Sequence, residues 1–124
     1  MLGGVVGAAH PGDDIHNQLM LAIRDRQVLA FSALSNAWSA MDLRARERVV
    51  EVHEATHVAV VVTNFRILGF SAVTSQWSSL RLESGERPVE IRVRGMAAKV
   101  ITNFRALGFG AEKGVWAVLR FKLK

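Results

Sequence analysis

The sequence predicts an all-β chain built from three four-stranded antiparallel repeats, and three observations lead there. The octapeptide Thr63-Asn64-Phe65-Arg66-Ile67-Leu68-Gly69-Phe70 returns as Thr102-Asn103-Phe104-Arg105-Ala106-Leu107-Gly108-Phe109, an offset of 39 residues. Trp38, Trp77 and Trp116 carry the same spacing through the chain. The runs between these markers are short, rich in β-branched residues and separated by turn residues, which suits strands and not helices. Residues 58–82 and 97–121 are identical at 13 of 25 positions without a gap, and residues 19–43 share 7 with 58–82, Leu29, Phe31, Ala33 and Trp38 among them. A fixed internal period of this kind is the signature of a repeat architecture. The chain is read as one β-repeat domain over 1–124, with an N-terminal tail at 1–18 and repeats at approximately 19–43, 48–82 and 87–121.

The elements follow in order. Ala9-His10-Pro11-Gly12-Asp13-Asp14 is turn-like, so the first repeat has no convincing first strand, and the apolar stretch Leu2 to Ala9 is the segment available to supply one. Asp25-Arg26 occupies the hairpin turn of the first repeat. In the second, strands are expected at Val49–Glu54, Val58–Thr63, Arg66–Ala72 and Trp77–Leu82. Asn64-Phe65 sits at the tight turn, where Asn would tolerate a positive φ. Val58-Ala59-Val60-Val61-Val62 is apolar at every position, which predicts a strand covered on both faces. Trp77-Ser78-Ser79-Leu80-Arg81-Leu82 is mixed and predicts a half-solvated one. The third repeat offers the alternating Val89-Glu90-Ile91-Arg92-Val93, then Ala97–Thr102, Arg105–Ala111 and Val115–Phe121.

The segment Phe70-Ser71-Ala72-Val73-Thr74-Ser75-Gln76-Trp77-Ser78-Ser79-Leu80, echoed from Phe31 to Trp38 and from Phe109 to Trp116, resembles the kelch-type blade of β-propellers. In such blades an aromatic residue ends one strand, a short polar turn follows, and Trp stands on the next strand. The period of 39 is shorter than the roughly 50 of kelch repeats, and Val62-Thr63 and Ile101-Thr102 stand near the place of the kelch double glycine. The resemblance is therefore to the blade. It implies a propeller, yet closed propellers use about 4–8 blades. Closure by oligomerisation is expected, with two chains giving six blades in a homodimer and three chains giving nine. A β-trefoil monomer, also built of three four-stranded repeats, is the alternative.

Composition narrows the chemistry. With no cysteine the chain has no disulfides, thiolate metal sites or cysteine nucleophile. Leu2 to Ala9 is too short to span a bilayer and lacks a basic start, so neither a membrane span nor a signal peptide is expected, and a cytoplasmic location is favoured. The net charge of +5 is modest, which makes nucleic acid an unlikely partner, and the tryptophans are better read as packing anchors than as base-stacking platforms. His53 and His57 are four apart, a zinc spacing on a helix but not on strands, and His10 and His16 have no partner pattern. Neither Asp13-Asp14 nor Glu83 with Glu86 is placed across a cleft. No metal or cofactor is expected, and enzymatic activity is open but not favoured.

Two sets of polar residues remain as candidates. Asn64 and Arg66 recur as Asn103 and Arg105 and become Asp25 and Gln27 in the first repeat, so equivalent turns would form a ring of solvated groups on one rim. Glu51, His53, Glu90, Arg92 and Arg94 lie on first strands and are candidates to line a central channel. The expected function is a non-enzymatic interaction module taking a protein, peptide or glycan. A carbohydrate-binding trefoil lectin is the alternative, and a hydrolase or lyase working in the channel is the less favoured one.

Overall fold

The computed structural model describes residues 17–122, all of them in strands and connecting turns. Tail residues 1–16, which include the segment Leu2 to Ala9 expected to supply a strand, His10, Asp13-Asp14 and His16, lie outside the described residues. Eleven strands run β1 Leu19–Arg24, β2 Gln27–Ser32, β3 Ala37–Asp42, β4 Val49–Glu54, β5 Val58–Thr63, β6 Arg66–Ser71, β7 Gln76–Arg81, β8 Pro88–Arg94, β9 Ala97–Thr102, β10 Arg105–Gly110 and β11 Trp116–Arg120. They form three antiparallel sheets, each of neighbouring strands in chain order: β1–β3, β4–β7 and β8–β11. No ladder joins one sheet to another among the described residues.

The repeat seen in the sequence holds in the backbone. Phe31, Phe70 and Phe109 stand directly opposite Trp38, Trp77 and Trp116 across their ladders. Irregularities interrupt β4 between Val49 and Glu51 and β8 between Pro88 and Glu90, at matching positions. Pro88 opens its strand, where its missing N–H costs least. Positive φ also repeats: Asn36 (56°), Ser75 (62°) and Gly114 (67°) share one turn position, and Arg46 (68°) and Gly85 (79°) share another. Asn64 and Asn103 are not among the positive-φ residues.

The sheets stack face to face, and the middle sheet's inner strands are buried on both sides: β5 throughout, from Val58 to Thr63, and β6 from Ile67 to Ser71. Their alternate residues serve opposite neighbours. Val58, Val60 and Val62 join Ile67 against Ala98, Val100, Leu107 and Phe109 of the third sheet. Ala59 and Phe70 cluster with Leu19 and Ala30 of the first sheet, and Val61 and Leu68 with Val28. The equivalent strand β9 is buried only at alternate positions, because no described residue covers the far side of the third sheet.

Each interface is also pinned by hydrogen bonds. Ser32 Oγ donates to Ala72 O at 2.6 Å, and Ser71 Oγ donates to Ala111 O one repeat later. Trp77 Nε1 donates to Ser39 O and Trp116 Nε1 to Ser78 O, each at 3.1 Å. The three tryptophans are therefore not equivalent anchors: Trp77 and Trp116 are seated on the preceding sheet, whereas Trp38 is 61% exposed. A Cβ at Gly69 would lie 2.7 Å from Cε1 of Phe109, so the ring occupies the room that the missing side chain leaves.

Two outcomes follow. Gly69→Ala forces Phe109 from its seat and should cost about 1–3 kcal/mol in denaturant unfolding; an unmoved midpoint would mean that the ring has free space. Arg46→Gly puts at this left-handed position the residue its repeat mate Gly85 already has. Relief of about 1 kcal/mol of backbone strain outweighs the added chain entropy, so the melting temperature should rise slightly.

Candidate functional site

The turn between the second and third strands of a repeat carries Thr-Asn-Phe-Arg, and the structure gives each polar member a fixed task. Thr63 Oγ1 donates to Glu47 Oε2 at 2.6 Å and accepts from the backbone N–H groups of Phe65 (3.1 Å) and Arg66 (3.0 Å), closing the hairpin. Arg66 meets Glu47 through Nε (2.8 Å) and Nη2 (3.0 Å), a two-pronged contact, and Nη2 also reaches Asp42 O at 2.7 Å. Glu47 lies in the loop between the first and second sheets and accepts from Arg44 N at 2.8 Å. Asn64 spans that same loop, accepting from Arg48 N (2.8 Å) and donating to Arg46 O (3.0 Å). This side-chain pairing, not a positive φ, is what places Asn in the turn.

The next repeat reproduces the arrangement. Thr102 Oγ1 donates to Glu86 Oε2 at 2.7 Å, and Arg105 grips Glu86 at 2.8 and 2.9 Å while donating to Arg81 O at 2.9 Å. Asn103 accepts from Arg87 N and donates to Gly85 O. Glu83 pairs with both Arg105 and Arg120. The paired carboxylates Glu83 and Glu86 are thus occupied by arginines.

For the two arginines this corrects the expectation of a solvated rim, while Asp25, Gln27, Asn64 and Asn103 are exposed. Side-chain exposure is 12% for Arg66 and 10% for Arg105, and zero for Glu47 and Glu86. Burial alone would raise the Glu86 carboxyl, but the hydrogen bonds from Arg105, Glu83 N and Thr102, with the Arg105 charge, outweigh it and lower it to about 2. Glu47 is lowered by the same balance of burial against Arg66, Thr63 and Arg44. Arg105 is raised, chiefly by its bond to Glu86. The clamp role of Glu47 and Glu86 is what the sequence reading did not reveal. Their signal was present: Leu43, Glu47 and Arg48 recur as Leu82, Glu86 and Arg87 at the offset of 39.

The first sheet departs from this plan. Arg24 and Gln27 stand where Thr63 and Arg66 stand in the second, and Gln27 Nε2 donates instead to Asp42 Oδ1 at 2.9 Å. An open recess of about 650 Å³ results, lined by Arg24, Asp25, Arg26, Gln27, Leu29, Asp42 and Leu43. Of the six rim candidates, Asp25 and Gln27 border this recess, while Asn64, Arg66, Asn103 and Arg105 are engaged in the loop clamps.

The channel candidates divide as well. Glu51 and His53 pair at 2.9 Å on β4 and share a shallow cleft of about 160 Å³ with Pro88, Val89, Glu90 and Ile91. Glu90 is also bound to Lys99 at 3.1 Å. Arg94 borders a separate recess with Asn17, Glu54 and Gly95, and Arg92 borders neither. His57 is not joined to His53; its backbone N–H donates to Gly95 O of the third sheet. Among the described residues no group of three His, Asp or Glu is arranged to hold a metal ion. No described helix is long and apolar enough to cross a membrane.

Because the unfolded carboxyl titrates near 4.5 and the folded Glu86 near 2, its contribution to stability is complete above the first value and lost as pH falls toward the second. The melting temperature should be flat above about pH 5 and drop between about 4.5 and 2. Glu86→Gln should lower the plateau and shrink that drop. Arg105→Ala leaves Glu86 buried without its partner and should cost about 3–5 kcal/mol, far above a surface substitution. A change under about 0.5 kcal/mol in chemical unfolding would return Arg105 to the solvated rim. No protein-family model and no curated protein matches the chain.

Proposed function

We propose that this chain is a non-enzymatic interaction module whose sheets are kelch-like blades of an oligomeric β-propeller, two chains together supplying six. The carrying observation is the state of the two end faces. Phe70, Leu68 and Ala59 are fully buried in the middle sheet, while the equivalent face of the first sheet leaves Met20 67% and Trp38 61% exposed. At the other end, Leu119 of the third sheet is 69% exposed where its repeat mate Leu80 is packed on the core. Large uncovered apolar faces are association surfaces. The confinement of every ladder to its own repeat favours stacked blades over a trefoil, whose repeats share one barrel.

The ligand-facing part of this reading rests on the recess beside Asp25 and Gln27 and on the cleft at Glu51, His53 and Glu90. Both are open and polar, which suits a peptide or glycan surface better than turnover of a small substrate. The segment Leu2 to Ala9 is proposed to supply a strand either to its own first sheet, where the outer edge of β1 carries no described strand, or to the partner's last one.

Light scattering at micromolar concentration tests the assembly. A mass of twice 13.6 kDa is expected, and a chain lacking residues 1–12 should associate less or unfold. A stable 13.6 kDa monomer would overturn the propeller reading. Peptide and glycan arrays test the ligand class, with Asp25→Ala and Gln27→Ala expected to weaken any hit without changing the melting temperature.

A further inference from the structure

We propose that the two uncovered end faces are the two halves of one head-to-tail junction: the free face of the first sheet docks on the free face of the third sheet of a second copy of this chain. The inference rests on the oligomeric reading above and supplies its register.

Both interfaces inside the chain are built from the same parts. The later sheet contributes a tilted Phe–Trp pair, and the earlier sheet offers a small residue in the middle and a backbone carbonyl that accepts from the indole N–H. Between the second and third sheets these are Phe109 with Trp116, Gly69 and Ser78 O. Between the first and second they are Phe70 with Trp77, Ala30 and Ser39 O.

One step of 39 residues beyond each end gives the missing halves. Phe31 and Trp38 already hold the pair geometry, with ring centroids 5.3 Å apart and planes at 54°, against 5.2 Å and 54° for Phe70 and Trp77. On the third sheet the socket is Gly108, and the waiting acceptor is the carbonyl of Ala117, which matches Ser78. A Cβ at Gly69 collides with Phe109, whereas one at Gly108 meets nothing within 4 Å. The plug and its socket are thus both present, at opposite ends of one chain. That is why the occupant is a second copy. A head-to-head pairing would set Trp38 donors against one another with no acceptor.

The junction is leaner than its internal models. Gly110 stands where Ser71 donates its hydroxyl, and Gln27 stands where Arg66 and Arg105 reach the preceding sheet. Lys99 and its cross-strand neighbour Arg92 replace Val60 and His53 on the socket face, and Glu90 pairs with Lys99 at 3.1 Å. With fewer directional bonds than either internal interface, it is where an assembly comes apart first.

The test is light scattering of full-length variants, with circular dichroism as a folding control. Gly108 has no positive φ and open space around it, so Gly108→Leu fits the single chain but fills the socket. The wild type should scatter as a multiple of 13.6 kDa, and Gly108→Leu as 13.6 kDa with unchanged dichroism. Ala106→Glu, on the same face, should do likewise and stands in if Gly108→Leu does not fold. Trp38→Glu should be monomeric alone and should form a one-to-one pair when mixed with either socket variant. If the wild type is itself a monomer, the oligomeric reading fails and the junction with it. If the wild type associates but both socket variants still do, the oligomer stands and the head-to-tail register is wrong. Retained association of the socket variants with loss only in Trp38→Glu identifies a head-to-head contact and overturns the proposal.

Discussion

The distance between sheets is set by an aromatic ring pressed onto a residue that has almost no side chain. Phe109 lies so close to Gly69 that a methyl group would collide with it, and the valines of β5 fill the space on either side of that contact. Sheets whose inner faces carried larger groups would stand further apart, and the tryptophan indoles would no longer reach the carbonyls of Ser39 and Ser78. Packing and directional bonding are thus coupled through one close approach. A dense interior transmits such a constraint because it has no voids in which to absorb it.

A second constraint acts on the connections between sheets. Each loop that steps from one sheet to the next carries a buried glutamate, held by the threonine and arginine of the following hairpin. Isolated, such a charge would be costly to remove from water; here every carboxylate oxygen has a donor, so the pair is tolerated and fixes the loop's path. Arg66 and Arg105 then extend to the last strand of the preceding sheet, tying loop, hairpin and neighbour into one polar seam.

Much of the fold was legible in the sequence because strands and turns are local. β4, β5 and β9 have the expected limits, and the uninterrupted apolar run of β5 marked a strand covered on both sides, as its neighbour β6 also is. The site was less legible, since the charge state of a side chain's surroundings depends on what a distant loop brings to it. Arg66 and Arg105 look like soluble rim residues until Glu47 and Glu86 are placed beside them. Trp38 shares its spacing with Trp77 and Trp116 but not their environment, because the repeat period describes positions and not whether a neighbour exists.

The likeness of the second and third repeats also bears on how the chain finds its fold. With 13 of 25 positions alike across 58–82 and 97–121, a hairpin from either repeat presents nearly the same edge to the other, the condition under which repeat chains mis-assemble. The safeguard is local pairing. Every ladder among the described residues joins strands adjacent in sequence, and contacts of low sequence separation cost the least loop-closure entropy. In the stacking of the sheets the first one's divergence, its Gln27 and Arg24 in particular, deprives it of the clamp the other two share. The order of sheets along the stack is thereby written into the differences between the repeats, as their shape is written into the similarities.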